Sequence, residues 1–263
     1  MKPSDLIAAF NRLPVWRRRL RVWDFVVQPP TFDRWVYLWM HRLRRMGRAE
    51  AAFFSRVIRP GMHVADVGAN LGLYSLLFAR CTGATGKVYA FEPDALMASA
   101  LRQNLAANAI AHAEVFECAV GAAPGRVILQ RNAMNSGDNR LGTTTGTPFH
   151  SDQAFVPVCA LQDALPGCRL DFIKLDVQGW EGEVLRGVAG LLDANPHLQI
   201  YFEFWPDGLR LAGTEISQLA ATLRELRLRV TLAESGRSDE TVDLIALERD
   251  MAPNAFTNLL ARR

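Results

Sequence analysis

From Arg59 onward the chain repeats one pattern, a short apolar run, a turn and a helical stretch, and that repetition leaves few folds open. HVADVG (63–68) precedes LGLYSLLFAR (71–80). KVYAFEP (87–93) precedes ALMASALRQNLAANA (95–109), in which Leu96, Ala100, Leu101 and Leu105 recur at helical spacing. AEVFECAVG (113–121) and VILQRNA (127–133) read as strands around a Pro124–Gly125 turn, and residues 135–153 as a loop over one face. VPVCALQDAL (156–165) leads to DFIKLDVQG (171–179), the run most typical of a buried strand. EGEVLRGVAGLLDA (181–194) is a helix stopped by Pro196, LQIYFEF (198–204) another buried strand, and ISQLAATLRELRL (216–228) an amphipathic helix. ETVDLIALERD (240–250) reads as the closing strand. Strands alternating with helices of about 10–15 residues predict an α/β fold, a doubly wound parallel sheet with helices on both faces.

At 263 residues the chain is long for one such domain, so an appendage is expected. A composition 49% hydrophobic and 22% charged excludes a mostly disordered chain. No apolar run reaches the ~18 residues of a membrane-spanning helix, and the first residues do not read as a secretory signal. Cys81, Cys118, Cys159 and Cys168 are scattered, which argues against a disulfide framework or structural zinc and for a cytoplasmic, reducing setting. The net charge of +3 divides unevenly, +7 over residues 1–50 and −4 over the rest. We therefore expect a basic, helical N-terminal extension over 1–56, with residues 1–50 dispensable for cofactor binding, and a main domain over 57–263. Within it, VWRRRLRVWDF (15–25) interleaves Trp16, Trp23 and Phe25 with four arginines. Such a segment could meet an anionic membrane surface, nucleic acid or phosphorylated substrates. The simpler expectation is a lid or homodimer arm whose aromatics pack on the body.

In a doubly wound sheet the ligand lies beyond the carboxyl ends of the strands, where strand order reverses. The first strand-to-helix turn reads Asp66-Val67-Gly68-Ala69-Asn70-Leu71-Gly72. Gly68 and Gly72 permit a sharp turn and close approach of backbone to ligand. The second strand ends in Phe91-Glu92-Pro93, where a carboxylate can accept from both hydroxyls of a ribose. NAD and S-adenosylmethionine both suit this frame. A dinucleotide site would want GxGxxG, whereas this loop lacks the middle glycine and opens with an acid. Asp66 repels a pyrophosphate and suits a ligand carrying an ammonium and a sulfonium. The expected cofactor is S-adenosylmethionine, bound by Asp66, Gly68, Ala69, Asn70, Gly72 and Glu92.

DVGANLG, FEP, DFIKLDVQGWEGEVLRG and YFEF together resemble the FkbM-type S-adenosylmethionine-dependent methyltransferases, over about residues 57–235. The resemblance implies a class I methyltransferase fold, a Rossmann-like mixed sheet of seven strands whose last strand is antiparallel. It also implies methyl transfer, usually to a hydroxyl of a sugar, polyketide or other small metabolite. Gln178 and Trp180 stand where the family more often has glutamate and commonly histidine.

Lys174, Asp176 and Gln178 alternate along an extended run and so share one face. An S-adenosylmethionine methyl is already activated, so the enzyme must orient the acceptor and remove its proton. Asp176 is the candidate base, and Lys174 the group that holds the acceptor oxygen or tunes the carboxylate. The competing reading is a structural Lys174–Asp176 ion pair. Glu181 opens a helix and is expected to cap it. Glu203, an acid inside an aromatic run, is expected to contact the acceptor or Lys174. Asn135, Ser136 and Asp138 are further candidates for cofactor or acceptor contact. The five histidines show no ligand spacing, so no metal is expected. Three function classes follow: an O-methyltransferase acting on a small-molecule or glycan acceptor, a nucleic-acid methyltransferase using the basic front, and a non-catalytic binding protein of the same fold. The absence of an (N/D)PP(Y/F) motif counts against the second.

Overall fold

The computed structural model describes residues 19–30, 48–132, 135–142, 150–233 and 240–263. The strands are β1 (Leu20–Val22), β2 (Phe25–Val27), β3 (His63–Val67), β4 (Lys87–Phe91), β5 (Ala113–Phe116), β6 (Ala119–Val120), β7 (Gly125–Asn132), β8 (Arg140–Leu141), β9 (His150–Cys159), β10 (Phe172–Leu175), β11 (Gln199–Phe204), β12 (Arg229–Leu232) and β13 (Thr257–Arg262). The helices are α1 (Arg48–Val57), α2 (Leu73–Thr82), α3 (Ala95–Ala107), α4 (Leu161–Ala164), α5 (Glu181–Arg186), α6 (Ala189–Ala194), α7 (Pro206–Leu211), α8 (Ile216–Glu225) and α9 (Leu244–Asp250).

Seven strands form one sheet in the order β12-β13-β11-β10-β3-β4-β5. All its pairs are parallel except those of β13, which runs antiparallel to both β11 and β12. From the centre, the chain winds through β4 and β5 on one side of β3 and through β10 and β11 on the other. The switch point therefore falls between β3 and β10. One apolar layer packs α5, α6, α8 and α9 on one face, through residues such as Val184, Leu191, Leu219 and Leu244. The opposite layer packs α1, α2 and α3, through Phe54, Leu76, Phe78 and Leu101.

Three elements differ from expectation. ETVDLIALERD is not the closing strand, because Asp243 accepts hydrogen bonds from the N–H groups of Ile245 and Ala246 and starts α9. The closing strand is β13. The helix expected over 181–194 is broken at Gly187, where a Cβ would sit 2.8 Å from the Ala122 Cα. The loop expected over 135–153 is a loop only in part. Its end belongs to β9, which pairs with β7 from Gly125↔Val158 to Asn132↔His150 in a four-stranded sheet of order β6-β9-β7-β8. The outer half of β9 (HSDQ) is polar, so only its pairing with β7 marks it as a strand.

The N-terminal region also takes another form. Over 20–27 it is a hairpin, not a helix, turning at Trp23 (φ 48°) and Asp24 (φ 74°), the positive-φ pair that a two-residue hairpin favours. Leu20, Val22, Phe25 and Val27 are buried in the same layer as α2 and α3. The free edge of β2 is satisfied by side chains of α3. Asn108 Oδ1 accepts from Val26 N at 2.9 Å, its Nδ2 donates to Val26 O at 2.7 Å, and Asn104 Oδ1 accepts from Gln28 N at 2.8 Å. Packing is likewise continuous across residue 57, since Phe53 and Phe54 of α1 share that layer. Trp16 and Arg12, Arg17, Arg18, Arg34, Arg42, Arg44 and Arg45 lie outside the described residues.

Candidate active site

A cavity of about 580 Å³ opens over the carboxyl ends of β3, β4, β10 and β11. Gly68 turns at φ +80°, and its N–H and that of Ala69 both donate to Phe91 O at 3.0 Å. A Cβ on Gly68 would lie 1.9 Å from the carbonyl oxygen of Asp176, so only glycine fits. Asn70 (φ 49°) donates its N–H to Glu92 Oε2 at 2.8 Å and its Nδ2 to Ser136 O at 3.2 Å. Glu92 Oε1 accepts from Asp94 N at 2.8 Å. Burial pushes the Glu92 carboxyl up to about 8, against these two backbone donors. Gly68, Ala69, Asn70 and Glu92 all line the cavity, as do Asn135, Ser136 and Asp138.

Asp66 and Gly72 are placed otherwise. Asp66 is fully buried, accepts from Ser75 Oγ at 2.6 Å, faces Lys174 Nζ at 3.7 Å and does not line the cavity. Its strand position turns it under the α1 and α2 layer, not towards the opening. Gly72 caps α2 at φ +92° and lies against Leu101, also off the cavity wall.

The other end of the cavity is built from side chains. Asp66, Lys174 and Tyr201 are register partners on adjacent strands, so they lie side by side on one face of the sheet. Lys174 is 2% exposed, and its Nζ lies 3.1 Å from Asp176 Oδ2 and 4.8 Å from the centre of the Tyr74 ring. Its carboxylate neighbours hold the ammonium charged, raising its pKa despite burial. Asp176 follows the last residue of β10 and keeps 37% of its side chain exposed. Gln178 Nε2 donates to Asp176 Oδ1 at 3.0 Å and reaches Glu203 Oε2 at 3.5 Å. An amide at 178 thus sets a donor between two acids, where a glutamate would add a third. Glu203 is mostly buried, and desolvation together with the Asp176 charge pushes its carboxyl up to about 9. Lys174, Asp176 and Glu203 all line the cavity.

Two expected residues serve the frame. Glu181 Oε1 accepts from Val177 N at 2.9 Å and fixes the turn that carries Asp176. Trp180 donates its indole N–H to Val120 O at 3.1 Å and packs in the core, off the cavity wall. Among the described residues no three His, Cys, Asp or Glu side chains gather as a metal site, and no helix is long and apolar enough to cross a membrane.

Sequence reasoning missed Glu50, Tyr74, Tyr201 and Arg140. Glu50, on α1, accepts from the Tyr74 hydroxyl and from the Tyr201 hydroxyl at 2.8 Å, and lines the same cavity. Residue 50, within the segment expected to be dispensable for cofactor binding, thus lines the same cavity as the glycine loop. Arg140 bonds Asp138 and lies 4.8 Å from the Trp205 ring at the cavity mouth. Tyr201 was accessible from its alternation with Glu203 along β11, but Glu50 carries no local signal.

The volume is in the range of small-molecule sites, roughly 300–1,000 Å³. The bare glycine backbone and the Glu92 carboxyl fit the ribose of a nucleoside. A model of the Methyltransferase FkbM domain matches residues 66–230. The methyltransferase sdnD of Sordaria araneosa is 26% identical over 235 residues, covering 76% of this chain and 81% of that protein. Among solved structures, a methyltransferase from Streptococcus mutans in complex with S-adenosylhomocysteine (SAH) has a TM-score of 0.48 at 10% identity, covering 82% of this chain and 97% of that one. One from Aquifex aeolicus described as SAM dependent has a TM-score of 0.45 at 16% identity, covering 84% and 95%. The chain belongs to the FkbM methyltransferase family and is an S-adenosylmethionine-dependent methyltransferase.

Proposed function

We propose that this enzyme methylates a hydroxyl of a sugar, glycan or small natural-product acceptor. The observation that carries this reading is the Asp176 carboxylate, braced by Lys174 and Gln178 yet open to the cavity it shares with the glycine loop. Gly68, Ala69, Asn70 and Glu92 hold the cofactor's nucleoside, which when bound supplies a methyl group activated by the sulfonium. Asp176 takes the proton from the acceptor hydroxyl as that oxygen becomes the nucleophile. Lys174, buried against Asp66, holds Asp176 Oδ2 at 3.1 Å and so aims the carboxylate. Glu203, protonated up to about pH 9, can donate a hydrogen bond to a second acceptor oxygen. A buried ion pair alone would account for Lys174 and Asp176 but not for the exposure of Asp176 on the cavity wall.

The test is incubation with methyl-labelled cofactor and a panel of neutral sugars, hydroxylated metabolites and their amine analogues. Label should enter hydroxylated acceptors and be lost when the hydroxyl is blocked. Transfer to amines with none to hydroxyls would overturn the reading.

A further inference from the structure

The amino-acid end of S-adenosylmethionine carries an α-ammonium, and a cavity that takes it from water must offer it an acceptor. Asp66, the acid expected in that role, lies behind the wall with Ser75 and Lys174. The carboxylates that do line the cavity are mostly committed. Glu92 accepts two backbone N–H groups beside the second strand, and Asp138 is held by Asn132 and Arg140. Asp176 faces Lys174, and Glu203 lies beyond Gln178.

Glu50 differs from these. Its hydrogen-bond partners are two phenol hydroxyls, which fix both carboxylate oxygens in place, while Lys174 and Asp176 act on it only as neighbouring charges. One of them, Tyr74, lies two residues past Gly72, so Glu50 meets the first turn of α2 directly after the glycine loop. We propose that Glu50 receives the α-ammonium of the cofactor, with Tyr74 and Tyr201 setting the orientation of its carboxylate. The two phenols leave each oxygen a further lone pair for the incoming cation. Burial holds the Glu50 carboxyl above its ordinary range, and an ammonium beside it would draw it back to the ionised form. The N-terminal helix, outside the matched residues 66–230, then completes the cofactor site.

The inference rests on the cofactor assignment and is independent of the acceptor. Calorimetric titration of the full chain compares SAH, which has the amino-acid end, with 5′-methylthioadenosine, which lacks it. Glu50→Gln should weaken SAH about 10- to 100-fold, the scale of a charge-assisted hydrogen bond, and change methylthioadenosine less than about threefold. Equal loss for both ligands, or none for either, would overturn the proposal. The wild-type chain gives a second measurement that requires no variant. Its preference for SAH over methylthioadenosine should shrink as acid protonates Glu50, a carboxyl that also faces the Lys174 and Asp176 charges, and a preference unchanged down to the acid limit of the fold would equally overturn it. A wild-type chain that bound neither ligand would break the cofactor reading itself.

Discussion

The two ends of the cavity are built by different means. At the glycine-loop end, backbone amides meet carboxylates, as where Asn70 N and Asp94 N donate to Glu92. These backbone donors and their acceptor lie within residues 66–94, with Ser136 joined to them through Asn70. At the Lys174 end, side chains from α1, α2, β10 and β11 meet one another, and three acids there have raised carboxyl pKa values. Backbone scaffolding fixes a shape that a common cofactor needs. Side-chain scaffolding fixes charge and proton affinity, which can be altered for each acceptor by single substitutions. Cofactor binding should therefore depend on one end and proton transfer on the other, with Glu50 as the proposed exception.

The largest effect should come from removing residues 1–50, which strips the hairpin and Glu50 together. Leu20, Val22, Phe25 and Val27 are all buried, and four such side chains contribute roughly 6–12 kcal/mol as an upper bound. A chain beginning at Ala51 should melt far below the full chain or fail to fold, whereas an unchanged melting curve would restore the front to a detachable arm. Next is Asp176→Asn, expected to lower kcat about 10²–10⁴-fold in single-turnover assays while leaving cofactor Kd within about twofold. A matching loss of cofactor affinity would erase the division between the two ends. Glu92→Ala should do the reverse, costing about 1–3 kcal/mol of cofactor affinity by calorimetry with turnover kept at saturating cofactor.

The smallest effect is a pH dependence. Glu203 titrates at about 9 in the fold against an ordinary 4.5, so the native state holds its proton more tightly than the unfolded chain. Its contribution to stability is fully present below about pH 4.5 and is lost as pH rises towards 9. Glu203→Gln cannot ionise, so its melting temperature relative to the wild type should climb between pH 5 and 9. Glu92 titrates in both proteins and cancels in that difference. A constant offset would show that Glu203 ionises as an ordinary surface acid.

The same division governs what the sequence made legible. The glycine loop, Glu92, and the shared face of Lys174 and Asp176 follow from local spacing and strand alternation. The seven-stranded sheet with its antiparallel strand was implied by the family resemblance. That Asp66 lies off the cavity wall was not legible, because its motif position says nothing about which layer its side chain enters, and that depends on register with Lys174 and Tyr201. A closing strand was expected where α9 forms, although Asp243 followed by Leu244, Leu247 and Met251 carries a helical cap and spacing. Glu50 was out of reach, since it meets Tyr201 across 151 positions of chain.

Gly68 has a consequence for genetics. The space its side chain would need is already taken by the peptide carbonyl of Asp176, so the glycine loop and the residue proposed to accept the proton cannot be displaced separately. A Gly68→Ala allele, which by position would be scored as a cofactor-binding defect, must also push the β10 turn aside. Loss of cofactor affinity and loss of turnover should then be inherited as one phenotype. A suppressor that restored one would be expected in the 176–180 turn, on the far side of the contact, and would restore both.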